Sequence, residues 1–167
     1  MTLQDAISKI AEHIRAAAQL ARDHTLGNIF YNEGYVDLLI AQTLGHTYNE
    51  QTQGPDAYDE DGRWCEYKAI NAKADGSFGG SFQFHWLSKP KIEKYRETHR
   101  FYFALRDGPE IKEVWSLDAS VVVPLLEEKA REKGTLDASK TKTDAHKSFT
   151  LAGIKKLGAV KAYPPAV

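Results

Sequence analysis

Cysteine is nearly missing from this 167-residue chain. Cys65 stands alone, so no internal disulfide can form, and a reducing, cytoplasmic setting is expected. With one cysteine and six scattered histidines, no Cys/His ligand cluster can be written for zinc. Long apolar runs are missing too. The strongest, residues 121–126, falls far short of the roughly 20 residues a membrane helix needs, so no membrane partner is expected. The first residues, Met1-Thr2-Leu3-Gln4-Asp5, lack both a basic segment and an apolar core, and a signal peptide is not expected. Internal repeats and long linkers are lacking as well, so the length suits a single domain.

Charge is present in both signs but sorted along the chain. Residues 1–68 carry five Lys/Arg against eleven Asp/Glu, residues 69–137 carry eleven of each, and residues 138–167 carry six lysines against Asp144 alone. An acidic pocket attracts divalent cations and a basic strip attracts phosphates, although solvated faces would give the same count.

Apolar residues at Leu3, Ile7, Ile10, Ile14, Ala17 and Ala21 predict an amphipathic helix over 2–23, its stripe packed on the domain or on a second copy. Val36, Leu39, Ile40 and Leu44 predict a helix over 32–44 ending at Gly45. A hairpin follows, 55–58 against 63–70, and then a Gly/Ser/Ala loop over 71–80 with the aromatic run Phe82, Phe84, Trp86 behind it. Further on, the pattern predicts a charged helix over 89–99, strands over 101–105 and 111–117, and a helix over 119–133. A polar loop over 134–147 is expected next, then a helix capped by Ser148 and stopped by Gly158, and an edge strand over 160–163. Three or four strands among such helices make the class α/β, bordering on α+β. The chain divides into N-terminal helices (1–45), a sheet core (46–133) and a basic C-terminal segment (134–167).

Chemistry concentrates in Pro55-Asp56 and Glu66-Tyr67-Lys68. Alternate strand residues share a face, so Glu66 and Lys68 point the same way. A three-residue loop, Glu60-Asp61-Gly62, with Gly62 left-handed, pairs Asp59 with Arg63 and sets Asp56 opposite Glu66; a two-residue loop would set Asp56 opposite Cys65, on the wrong face. Two carboxylates that close repel unless a proton or cation lies between them. Carboxylates that hold Mg²⁺ beside a lysine make a workable phosphodiester-cleaving site. Glu33 falls on the apolar stripe of the 32–44 helix, where a carboxylate needs a partner; its charge would equally suit a helix N-terminus. An isolated E-x-K is common and by itself means little. A calcium loop registered on Gly62 fails, because its twelfth position is Lys68. His46, His85, His99 and His146 read as structural or surface groups.

Taken together, a Pro-Asp, a nine-residue gap, a strand with E-x-K and a preceding helix with a glutamate resemble the PD-(D/E)xK nuclease superfamily. The resemblance covers residues 30–70. It implies the restriction-endonuclease-like central mixed sheet flanked by helices, with Asp56, Glu66 and Glu33 as metal ligands and Lys68 as the catalytic lysine. It further implies Mg²⁺, with Mn²⁺ able to substitute, double-stranded DNA as substrate, and a homodimer. The layout is similar to type II restriction endonucleases. A Holliday junction resolvase or repair nuclease and a non-catalytic nucleic-acid-binding module remain the alternatives. Lys140, Lys142, Lys147, Lys155 and Lys156 are the expected contacts to DNA phosphates.

Overall fold

The computed structural model describes residues 1–51, 54–137 and 144–165. It opens with α1 (Leu3–Asp23), started by a capping box in which the Thr2 hydroxyl accepts from the Asp5 N–H and the Asp5 carboxylate accepts from the Thr2 N–H. Only Ala21 of α1 is buried. Leu3, Ile7, Ile10 and Ile14 remain between 49% and 78% exposed, so their stripe does not pack on the domain that carries it.

The chain then makes a 3₁₀ turn (Tyr31–Glu33) and enters α2 (Gly34–Leu44), which Gly45 ends with φ 70°. The sequence placed the helix start at residue 32. Asn32 and Glu33 instead take left-handed conformations (φ 48° and 59°), so the helical stripe cannot be extended back to them.

A six-stranded mixed sheet forms the centre. Its strands are β1 (Thr47–Tyr48), β2 (Ala57–Tyr58), β3 (Trp64–Asn71), β5 (Arg100–Asp107), β6 (Glu110–Asp118) and β8 (Val160–Tyr163), lying side by side in that order. β3 and β5 are parallel; the other neighbours are antiparallel. The crossover between β3 and β5 carries β4 (Phe82–Phe84) and α3 (Lys89–Glu97). β4 pairs separately with β7 (Lys147–Phe149) in a two-stranded ribbon.

Residues Phe101 through Arg106 of β5 are all buried, as a strand covered on both faces requires. One face packs Phe101, Phe103 and Leu105 against the ribbon, α3 and α4 (Ala119–Glu132). The other packs Tyr102 and Ala104 with Cys65 and Tyr67 against Val36, Ile40 and Ala41 of α2. Cys65 is buried and free.

Two expectations need correction. The described residues form eight strands where three or four were expected, because β1, β4 and β7 are only two or three residues long and leave too little alternation to be seen. The 134–147 loop stops short of Lys147, which begins β7, and Ser148 is a strand residue; Thr150 caps α5 (Leu151–Lys156) by accepting from the Gly153 N–H at 3.0 Å. Burying Phe149 edge-on against Phe84 requires an extended segment there, which postpones the helix.

Candidate active site

The hairpin before β3 turns as a three-residue loop. Asp59 N–H donates to the Arg63 carbonyl at 3.0 Å, Gly62 N–H donates to the Asp59 carbonyl at 2.9 Å, and Gly62 has φ 76°. The Asp59 carboxylate fixes this turn, accepting from the N–H of Asp61 and of Arg63 and pairing with the Arg63 guanidinium. Tyr58 therefore faces Trp64 and Ala57 faces Cys65, which carries the register to Asp56 opposite Glu66. The register is locked by Asp56 itself: its Oδ2 accepts from the Tyr67 N–H at 2.6 Å.

Glu66 and Lys68 lie on the α3 side of the sheet. Lys68 Nζ donates to Glu66 Oε1 and to the Tyr67 carbonyl, both at 2.7 Å, and stands 5.3 Å from the Phe84 ring centre. Lys94 of α3 approaches Glu66 Oε2 at 3.3 Å. The Glu66 side chain is only 5% exposed, and among the described residues the Lys94 ion pair is the contact recorded at Oε2. Two carboxylates brought this close in a buried corner are a fitting seat for a hard cation, which takes oxygen ligands and keeps several waters.

Electrostatics separate the two acids. Burial and then the Glu66 charge push the Asp56 carboxyl up to about 6. Burial works the same way on Glu66, but Lys68 and Lys94 reverse it and hold Glu66 below the usual carboxylate range. Burial opposes the Lys68 charge, yet Glu66 more than offsets it, so Lys68 stays firmly cationic.

Glu33 lines the cleft of this cluster, but its carboxylate pairs elsewhere. Its side chain is 69% exposed and its carboxylate pairs with Arg106 Nη2 at 3.1 Å, a consequence of its left-handed backbone. The acid that α2 does contribute is Asp37. It lines the same cleft of about 520 Å³ as Asp56, Lys68 and Tyr95. Burial, and then the Asp56 charge, push Asp37 up to about 8. The available signal for Asp37 was that it is the sole acid in an otherwise apolar helix. Lys94 and Lys91, also at this site, gave no distinguishing signal within a charged helix.

The basic residues divide. Lys140 and Lys142 lie outside the described residues. Lys147 Nζ stands 5.8 Å from the Phe149 ring and Lys155 Nζ 4.1 Å from the Trp115 ring, while Lys156 closes the last turn of α5. His46 is structural, as expected: Nδ1 lies 2.7 Å from the Tyr67 hydroxyl and burial lowers its pKa. His85 and His146, distant in sequence, come together on the cleft rim with Nδ1 atoms 3.2 Å apart.

The family model of the restriction endonuclease PvuII matches residues 2–146, nearly the whole chain. The chain belongs to that family. No curated protein matches it in sequence. Membership in the PvuII family makes the protein a type II restriction endonuclease, a metal-dependent enzyme that cleaves DNA, and displaces the resolvase and non-catalytic readings. No described helix is long and apolar enough to cross a membrane.

Proposed function

We propose that the protein is a Mg²⁺-dependent homodimer that cuts both strands of duplex DNA in the cytoplasm, with Asp56, Glu66 and Lys68 as its working groups and Mn²⁺ able to replace Mg²⁺. The observation that carries this reading is the buried arrangement of Asp56 opposite Glu66, with Lys68 bonded to Glu66 at 2.7 Å. Asp56 and Glu66 would hold the ion, with Asp37 lining the same cleft and waters completing the shell. When bound, Mg²⁺ supplies acidified water and offsets charge developing on the phosphate. Lys68 is kept protonated by Glu66 and aimed by its bond to the Tyr67 carbonyl, so it orients the attacking water and stabilises the forming oxyanion. The Phe84 ring beneath Lys68 excludes water and restricts the ammonium to this corner of the cleft.

One such cluster per chain serves one strand, so cutting a duplex calls for two copies related by a twofold axis. The open apolar stripe of α1 supports self-association, because Leu3, Ile7, Ile10 and Ile14 line a single helix face with nothing of their own domain over it. Lys140, Lys142, Lys147 and Lys156 are proposed phosphate contacts. Lys155 is already engaged on Trp115 and is a weaker candidate. The buried free thiol of Cys65 is consistent with a reducing compartment.

Long duplex DNA incubated with enzyme and Mg²⁺ should give discrete bands. Loss of those bands in Glu66→Gln and Lys68→Ala, both still folded by circular dichroism, supports the assignment. Undiminished cleavage by either variant refutes it.

A further inference from the structure

The ribbon of β4 and β7 pairs Phe82 with Phe149, Gln83 with Ser148 and Phe84 with Lys147. Continuing that register sets His85 directly across from His146. Phe82, Phe84 and Phe149 point into the core, so the alternation sends both histidines outward, where they are exposed. The pair is held from both sides. Below it lies the ribbon; above it Leu87 N–H donates to the Ala145 carbonyl at 3.0 Å, and the Thr135 hydroxyl donates to the Leu87 carbonyl. Lys91 Nζ fixes the His85 carbonyl at 2.9 Å. The two rings stand 5.1 Å apart, inclined at 72°, with Nδ1 facing Nδ1 across 3.2 Å.

As two neutral imidazoles this arrangement yields one N–H···N hydrogen bond, one Nδ1 donating and the other accepting; with both rings in the Nε2–H tautomer the two Nδ1 lone pairs instead face each other and call for a cation between them. Bond lengths of 2.0–2.1 Å to a tetrahedral ion place two ligand nitrogens about 3.3 Å apart, nearly the spacing found. We propose that His85 and His146 form a cross-strand site for a transition-metal ion of the Zn²⁺, Ni²⁺ or Cu²⁺ type, separate from the carboxylate cluster. Imidazole nitrogen selects these ions, whereas Mg²⁺ prefers oxygen, so each site takes its own metal. Among the described residues no third His, Cys, Asp or Glu side chain converges on the two imidazoles, and the ion therefore keeps water in its remaining positions. Bound there, it pins the end of the ribbon at the rim of the cleft.

The test is a Zn²⁺ titration by calorimetry in excess Mg²⁺, on wild type, His85→Ala, His146→Ala and Asp56→Asn. Wild type and Asp56→Asn should bind one equivalent with equal affinity. Each histidine variant should bind at least about tenfold more weakly, the lower end of what even an outer-shell substitution costs a metal site. Zn²⁺ should also raise the thermal midpoint of wild type but of neither histidine variant, and shift the imidazole ¹⁵N signals of both histidines together. Absence of binding to wild type, unchanged binding in both histidine variants, or loss in Asp56→Asn overturns the proposal.

Discussion

Replacing Asp56 by asparagine should make the metal-free protein more stable while abolishing cleavage. Asparagine keeps the shape, and its side-chain oxygen can still accept from the Tyr67 N–H that binds Asp56 Oδ2 at 2.6 Å. What it removes is a buried negative charge next to Glu66. Asp56 ionises at about 6 in the folded chain against an ordinary 3.8. A carboxyl raised on folding binds its proton more tightly in the native state. Stability therefore falls as pH rises from the unfolded value through the folded one, and the full loss is present above about 6. A shift of about two units at 1.36 kcal/mol each gives about 3 kcal/mol. For a chain of this size, that corresponds to roughly 6–12 °C in melting temperature.

The assay is urea unfolding in EDTA at pH 8 and near pH 4. Asp56→Asn should exceed wild type by about 3 kcal/mol at the higher pH, with the gap closing at the lower, where the wild-type carboxyl is neutral too. Added Mg²⁺ should stabilise wild type more than the variant. A variant less stable than wild type at pH 8, or a gap independent of pH, refutes the reasoning that Asp56 is an uncompensated buried charge.

Glu66→Gln should have the opposite sign, because it strips Lys68 and Lys94 of their shared partner; breaking such a buried pair costs about 3–5 kcal/mol, measurable in the same unfolding experiment. Glu33→Gln should leave the Mg²⁺ dependence of cleavage unchanged and cost at most about 1 kcal/mol, as expected for a largely exposed ion pair with Arg106. If the proposed dimer forms through α1, Ile7→Glu with Ile10→Glu should leave a monomer by analytical ultracentrifugation with helicity retained, where the unaltered chain sediments as a dimer; a dimer that persists in the variant means α1 is not the interface. Lys140→Ala, Lys142→Ala and Lys147→Ala combined should flatten the slope of log affinity against log salt by about two to three units and weaken cognate and non-cognate DNA alike.

The hairpin was legible because its turn chemistry is local. Gly62 supplies the positive φ, Asp59 supplies the acceptor, and the register of Asp56 on Glu66 follows by counting. The helices α1, α2 and α4 were legible from periodicity for the same reason. Glu33 falls off the helical stripe because the helix does not begin where its pattern suggests: two left-handed residues precede it, the carboxylate pairs with Arg106, and no apolar spacing encodes them. The 147–149 strand escaped because three residues give too short a period, and its partner lies more than sixty residues away. The meeting of His85 with His146 has the same non-local origin.

The charges in the cleft favour placing the proposed cation nearer Asp56 than between Lys68 and Lys94. Glu66 is already answered, with an ammonium at 2.7 Å on one oxygen and another at 3.3 Å near the second. Asp56 has only a backbone N–H and more distant lysines, and the charge of Asp56 in turn raises Asp37. Protons therefore accumulate on the two acids that lysine does not compensate, and those protons are what a metal ion must displace. Lys91 completes the asymmetry, since burial and then the like charge of Lys68 lower its pKa, making it the most readily neutralised cation of the group. The site thus favours the charged form of the carboxylate that holds its lysine, and leaves two whose ionisation follows pH and metal. Metal affinity should accordingly climb between about pH 6 and pH 8, as Asp56 and then Asp37 lose their protons. Calcium titrations at pH 6 and pH 8 measure this directly. An affinity that does not change over that range would mean Glu66 alone governs binding, and Asp37 would then have no part in it.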